Sequence, residues 1–151
     1  MRALFIIILL ITSSAGVSYA EDDKMIPLRD FMTNSFDELG GIGYLIYRCA
    51  GLNSMQYAVI SSRSDEKAKE TLEIITQRIN LIYQYGFQNF LKSNKDATLE
   101  DYTANYQLSV QPISDKYMTI ANNAWIRSGE YFSDPLIQDD TQVCLDVFES
   151  N

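Results

Sequence analysis

Apolar residues along this chain form one unbroken block followed by a series of helical patterns. The block comes first. Ala3 to Ile11 is uninterrupted, preceded by the single charge of Arg2 and followed by a small, polar run ending Ser18-Tyr19-Ala20. The next helical region lies within Asp30 to Ser61. It opens amphipathically with Phe31, Phe36 and Leu39, passes through Gly40-Gly41-Ile42-Gly43, and then carries Arg48 as its only charge before Arg63. A helix that is apolar nearly all round is either a central core helix or a membrane span. Asn53, Ser54, Gln56 and the three glycines favour the core helix. Glycine inside a helix costs about 1 kcal/mol against alanine, so a kink or break is expected around Gly40, Gly41 and Gly43.

Three further helices follow. Ser64 is the expected N-cap of the second, which runs to about Leu91. Its stripe of Ala68, Leu72, Ile75, Ile79, Ile82 and Gly86 follows alternating steps of four and three. Thr98 caps the third, with Asp101 three residues on as a variant capping box. Tyr102, Tyr106, Val110, Ile113, Tyr117, Ile120 and Ala124 keep its helical spacing. Pro112 predicts a kink or two shorter helices, and Gly129 a C-terminal stop. Asp134-Pro135 reads as N-cap and first helical residue of a last element carrying Val143, Cys144, Val147 and Phe148. Nothing alternates with period two for long enough to argue a sheet. The fold class expected is all-α: a small bundle or orthogonal array of about four to five helices, closed by one disulfide.

The opening block has the form of an export signal, with a positive start, an apolar core and small residues at the last and third-last positions before Glu21. It is too short to cross a hydrocarbon core, which takes about 20 helical residues, so an uncleaved anchor is the lesser alternative. Residues 1–20 are therefore expected to be a cleaved signal peptide and residues 21–151 a single all-α domain, periplasmic or secreted. Removing Arg2 with the leader leaves 11 basic against 20 acidic residues, a net charge of −9. Such a surface repels nucleic acid and anionic lipid, so no nucleic-acid partner and no stable membrane insertion are expected.

In an oxidising compartment the only two cysteines, Cys49 and Cys144, pair by default. The bond would close a loop that the chain-entropy model values at about 4–5 kcal/mol before strain. A redox pair or metal-binding thiols lack support: there is no C-x-x-C, and without histidine a tetrahedral site would need carboxylates. Arg48, beside Cys49 in a neutral helix, has two readings. Its guanidinium pairs with a carboxylate brought near by the disulfide, Asp146 being the candidate closest in sequence to Cys144, or it reaches solvent from the helix edge.

Motif chemistry is excluded on composition. With no histidine, neither a Ser-His-Asp nor a Cys-His arrangement exists, and the Glu-x-x-His pairs of di-iron bundles are absent. No catalytic residue, cofactor-binding residue, metal ligand or cofactor is expected. Carboxylate pairs remain for acid–base work on sugars, with Glu38, Glu100, Asp101, Glu130, Asp139 and Asp140 as candidates, but their spacing selects no facing pair. The tyrosines sit at helical spacing as core residues with hydroxyls at the wet margin. Tyr102, Tyr106 and Tyr117 exposed together would instead mark a partner groove.

Arg48-Cys49-Ala50-Gly51-Leu52, after a signal peptide and answered by a late cysteine, resembles the start of the central helix in small exported helical proteins of marine bacteria. The resemblance implies location and fold, and no activity. The expectation is a non-enzymatic binding or accessory protein of the bacterial cell envelope that takes a protein or a small ligand. The alternatives are an inhibitor or immunity protein against a cationic lysozyme-like or toxin enzyme, whose basic surface the net charge would steer, and a carboxylate-dependent hydrolase of envelope polymers. Ligand identity and oligomeric state stay open. Protein recovered from its native envelope is expected to begin at Glu21 and to carry no free thiol, read by intact mass with and without alkylation. A product still bearing residues 1–20 contradicts the leader.

Overall fold

The computed structural model describes residues 25–36 and 40–149; the signal peptide expected over residues 1–20, and Glu38, lie outside them. Five helices follow one another among the described residues: α1 (Leu28–Asn34), α2 (Gly40–Ser61), α3 (Glu66–Ser93), α4 (Leu99–Ser128) and α5 (Pro135–Glu149). The all-α class, the five helices and the closing disulfide agree with the sequence pattern.

The first helical region is two helices. α1 ends at Asn34 with Ser35 as its cap, so the break precedes the glycines. Gly41 is instead a packing site, because a Cβ there would lie 2.7 Å from the Phe36 ring. α2 is the core helix, and ten of its 22 residues are buried, Leu45, Ile46, Leu52 and Met55 among them. Burying each such side chain contributes about 1.5–3 kcal/mol, more than the propensity lost at one helical glycine. α2 lies along both α3 and α4, while α1 rests on α5 and α2. No helix among the described residues is long and apolar enough to cross a membrane.

Asp65, one residue beyond the expected Ser64, caps α3 by accepting a hydrogen bond from the Ala68 amide at 3.0 Å. The buried face of α3 is the expected stripe, with Ala68, Ile75, Ile82 and Gly86 at its centre. α4 opens on the capping box of Thr98 and Asp101 and ends on Gly129 at φ 75°. It continues as one helix through Pro112, so of the kink or two shorter helices expected there the second is overturned. A helical proline forfeits about 3 kcal/mol. Val110 and Ile113 on either side of it both belong to the core, and Gly51 of α2 lets α4 approach so closely that a Cβ there would sit 2.6 Å from the Ile113 side chain. Packing on both flanks outweighs the one lost hydrogen bond.

Tyr102 is fully buried and ringed by Tyr83, Phe87, Phe90 and Tyr106, with centroids 5.0–5.6 Å away. Its hydroxyl lies against Gly86, where any Cβ would collide with it. Tyr117 is fully buried as well, so Tyr102, Tyr106 and Tyr117 form no exposed cluster; their rings are core residues as expected, but their hydroxyls are buried rather than at the wet margin, those of Tyr102 and Tyr106 without a hydrogen-bond partner among the described residues.

Candidate functional site

Arg48 has no solvent exposure, which disposes of the helix-edge reading. A buried guanidinium must find a counter-charge and acceptors for its N–H groups. The counter-charge is Asp140, also fully buried, which pairs with Nη2. Asp146, the expected partner, lies exposed on α5, where it accepts a hydrogen bond from Gln142. The correction follows from helix geometry. Asp146 is two residues beyond Cys144 and so faces away from the disulfide, whereas Asp140 is one turn before Cys144 on the face that also carries Ile137 and Phe148.

Each of the three guanidinium nitrogens also donates a hydrogen bond to a neutral acceptor. Nε donates to the Tyr117 hydroxyl at 2.9 Å, Nη1 to the Tyr44 hydroxyl at 2.8 Å, and Nη2 also to the carbonyl of Ile26 at 3.1 Å. The Tyr117 hydroxyl in turn donates to Asp140, whose other oxygen accepts from the Leu28 amide at 2.7 Å. The guanidinium carbon lies 5.5 and 5.4 Å from the centroids of the Tyr44 and Tyr117 rings, so the cation also meets two aromatic faces. Burial works to lower the Arg48 pKa, but Tyr117 and Asp140 more than offset it and hold the group above its ordinary range. Burial also pushes the Tyr117 hydroxyl well above the usual phenol value; Arg48 opposes that shift and Asp140 adds to it. The Cys49–Cys144 bond, with Cα atoms 5.6 Å apart, joins α2 to α5 directly beside this pair. Sealed from solvent, the cluster can position chain segments but cannot meet a substrate.

What it positions borders a groove. Ile26 and Leu28 are tied through their backbones to Arg48 and Asp140, so Pro27 between them is fixed. Met25 and Pro27 form one wall of an open groove of about 730 Å³; Ile120 of α4 and Leu136 of α5 are among its other apolar sides. Of the carboxylates at its lips, Asp139 accepts from Arg29 at 3.0 Å, and Asp134 accepts from the Leu136 amide and from Arg127.

Of the six carboxylates considered for acid–base work, five lie among the described residues. Asp101 is held in its capping box, Asp139 by Arg29 and Asp140 by Arg48. Glu100 and Glu130 are exposed at the start of α4 and just past its end. Among the described residues no group of three or more His, Cys, Asp or Glu is placed to hold a metal ion. No protein-family model, curated protein or solved structure matches this chain.

Sequence reasoning named Arg48 and missed Asp140, Tyr117, Tyr44 and the backbone of residues 26–28. The available signal was an aspartate on the apolar face of α5, in step with Ile137 and Cys144.

Removing one partner of a buried pair leaves the other uncompensated. Asp140→Asn is therefore expected to lower unfolding stability by about 3–5 kcal/mol, while Arg48→Met with Asp140→Leu regains a substantial part of that loss. Urea titrations of the two variants check this; equal losses would contradict an uncompensated charge as the cause. A second expectation concerns alkali. Tyr106 is pushed up to about 12 by burial, with Tyr83 and Tyr47 adding to the shift, and Tyr102 and Tyr117 are displaced upward too, again mainly by burial. Above pH 10 the unfolded chain then holds fewer protons than the folded one, so the stability these groups contribute is intact below about pH 10 and drains away toward pH 12. Absorbance at the phenolate band is expected to show these tyrosines ionising late and together with unfolding. A titration of all tyrosines near pH 10 in the folded protein would contradict it.

Proposed function

We propose that this chain is an exported, non-enzymatic binding protein of the bacterial cell envelope, and that its binding surface is the groove between residues 25–27, α4 and the start of α5. The groove itself carries the reading. At about 730 Å³ it is of the size that small-molecule sites occupy, and Met25, Pro27, Ile120, Pro135 and Leu136 give it a mainly apolar lining. The carboxylates beside it are engaged with Arg29 and Arg127, which suits holding a ligand rather than transforming one. An apolar or amphipathic molecule is the ligand class this lining favours. The disulfide and the resemblance to exported helical proteins support maturation outside the reducing cytosol.

The uncharged dye N-phenyl-1-naphthylamine tests the site. One saturable site is expected, with emission enhanced by transfer from water. Ile120→Arg, on the groove-facing side of α4, is expected to abolish it while the thermal midpoint stays within a few degrees. Failure of the dye to bind, or undiminished binding by Ile120→Arg, would sink the proposal.

A further inference from the structure

Further along α4 lies a second groove that shares no residue with the first. It holds about 480 Å³ and opens between the C-terminal ends of α2 and α4 and the turn after Gly129. Its character is set by an aromatic pair. The indole of Trp125 stacks on the ring of Tyr131 with centroids 4.7 Å apart and an interplanar angle of 14°, and Trp125 remains 48% exposed. A large aromatic surface left half in water at the wall of a cleft differs from Tyr102 and Tyr117, which are fully buried in the core.

The electrostatics of that cleft point one way. Both helices present their C-terminal ends, which carry partial negative charge. α2 has no basic residue in its last turn, and Arg127 at the end of α4 is drawn off by Asp134 at 2.9 Å. Arg63, the cation on the rim, is already held by Asp65 at 3.1 Å. Glu130 lines the cleft with a carboxylate that joins no ion pair among the described residues. The chain as a whole carries a net charge of −8. Aromatic faces beside one carboxylate and two helix C-termini attract a cation, and with no group of three or more His, Cys, Asp or Glu among the described residues placed to hold a metal ion, the aromatic wall suits an organic cation.

We propose that this second groove binds a small quaternary ammonium compound, its methylated head against the Trp125–Tyr131 stack and its charge facing Glu130. A quaternary nitrogen has no N–H to satisfy, so an aromatic wall with a single anion is sufficient. The proposal stands on different residues from the apolar groove, and either can fail without the other.

Trp125 is the only tryptophan of the chain, so its fluorescence reports on this groove alone. Choline chloride is the probe, and its uncharged isostere 3,3-dimethylbutan-1-ol the control. A saturable change with choline in the millimolar range is expected, with the isostere about fivefold or more weaker. Glu130→Gln, at an exposed position outside the core, is expected to weaken choline about threefold or more. Arg63→Gln is expected to leave it unchanged or tighten it. No saturable response, an equal response to the isostere, undiminished affinity in Glu130→Gln, or a response to phosphatidylcholine vesicles with none to free choline would each overturn the proposal.

Discussion

A guanidinium with no exposure to water dominates the architecture of this small protein. Moving such a charge out of solvent carries a penalty of several kcal/mol even after relaxation, so every nearby segment is constrained by the need to compensate it. α2 supplies Arg48 itself and Tyr44, α4 supplies Tyr117, α5 supplies Asp140, and the segment before α1 contributes the Ile26 carbonyl and the Leu28 amide. An apolar cluster tolerates small shifts among its members. This one does not, because Nε, Nη1 and Nη2 each have a named acceptor and a displacement of about an ångström leaves a buried polar group unpaired. Arrangements of five helices are numerous, and the pair is satisfied only in one where these four segments meet.

Disulfide and ion pair constrain the same interface by different means. Cys49 follows Arg48, and Cys144 lies one turn after Asp140, so the covalent link and the charged contact sit side by side between α2 and α5. The bond acts chiefly on the unfolded chain by restricting how far its distant parts separate. The ion pair acts on the folded state, where it fixes rotation of α5 about its own axis. A tether alone leaves that rotation free; with Asp140 held, the apolar residues Ile137, Val143 and Phe148 are the ones turned inward.

Helix boundaries were largely legible because the residues that start and stop helices act locally. Thr98 with Asp101, Gly129 and Asp134-Pro135 each do in the fold what their chemistry predicts, and the α3 cap falls on Asp65 rather than its neighbour Ser64. Pro112 does not divide α4 into two helices, because Val110 in the core and Ile113 packed against it hold both flanks, contacts that depend on where α2 lies. Misassignment of Arg48 to Asp146 had a different origin: proximity to Cys144 in sequence stood in for a shared helix face. The face was recoverable from the apolar stripe of α5. The backbone partners at Ile26 and Leu28 were not, since an amide or carbonyl leaves no mark on the residue type. Neither groove was legible, because each is a property of surfaces from separate elements.

The closed interior and the open groove are nonetheless one construction. The wall formed by Met25 and Pro27 belongs to a segment with only a short helix of its own, which supplies little local structure to hold it. Here its backbone is hydrogen-bonded on both sides of Pro27 to a buried cation and a buried anion. Charge-assisted bonds of this kind are stronger than neutral ones, and in a dry setting they are not exchanged for water. A cluster sealed from solvent therefore sets the rigidity of the groove proposed as the binding surface, and a ligand there would meet a wall whose ordering was settled when the protein folded. That is the physical route by which an arginine in the middle of the central helix bears on the shape of the surface groove.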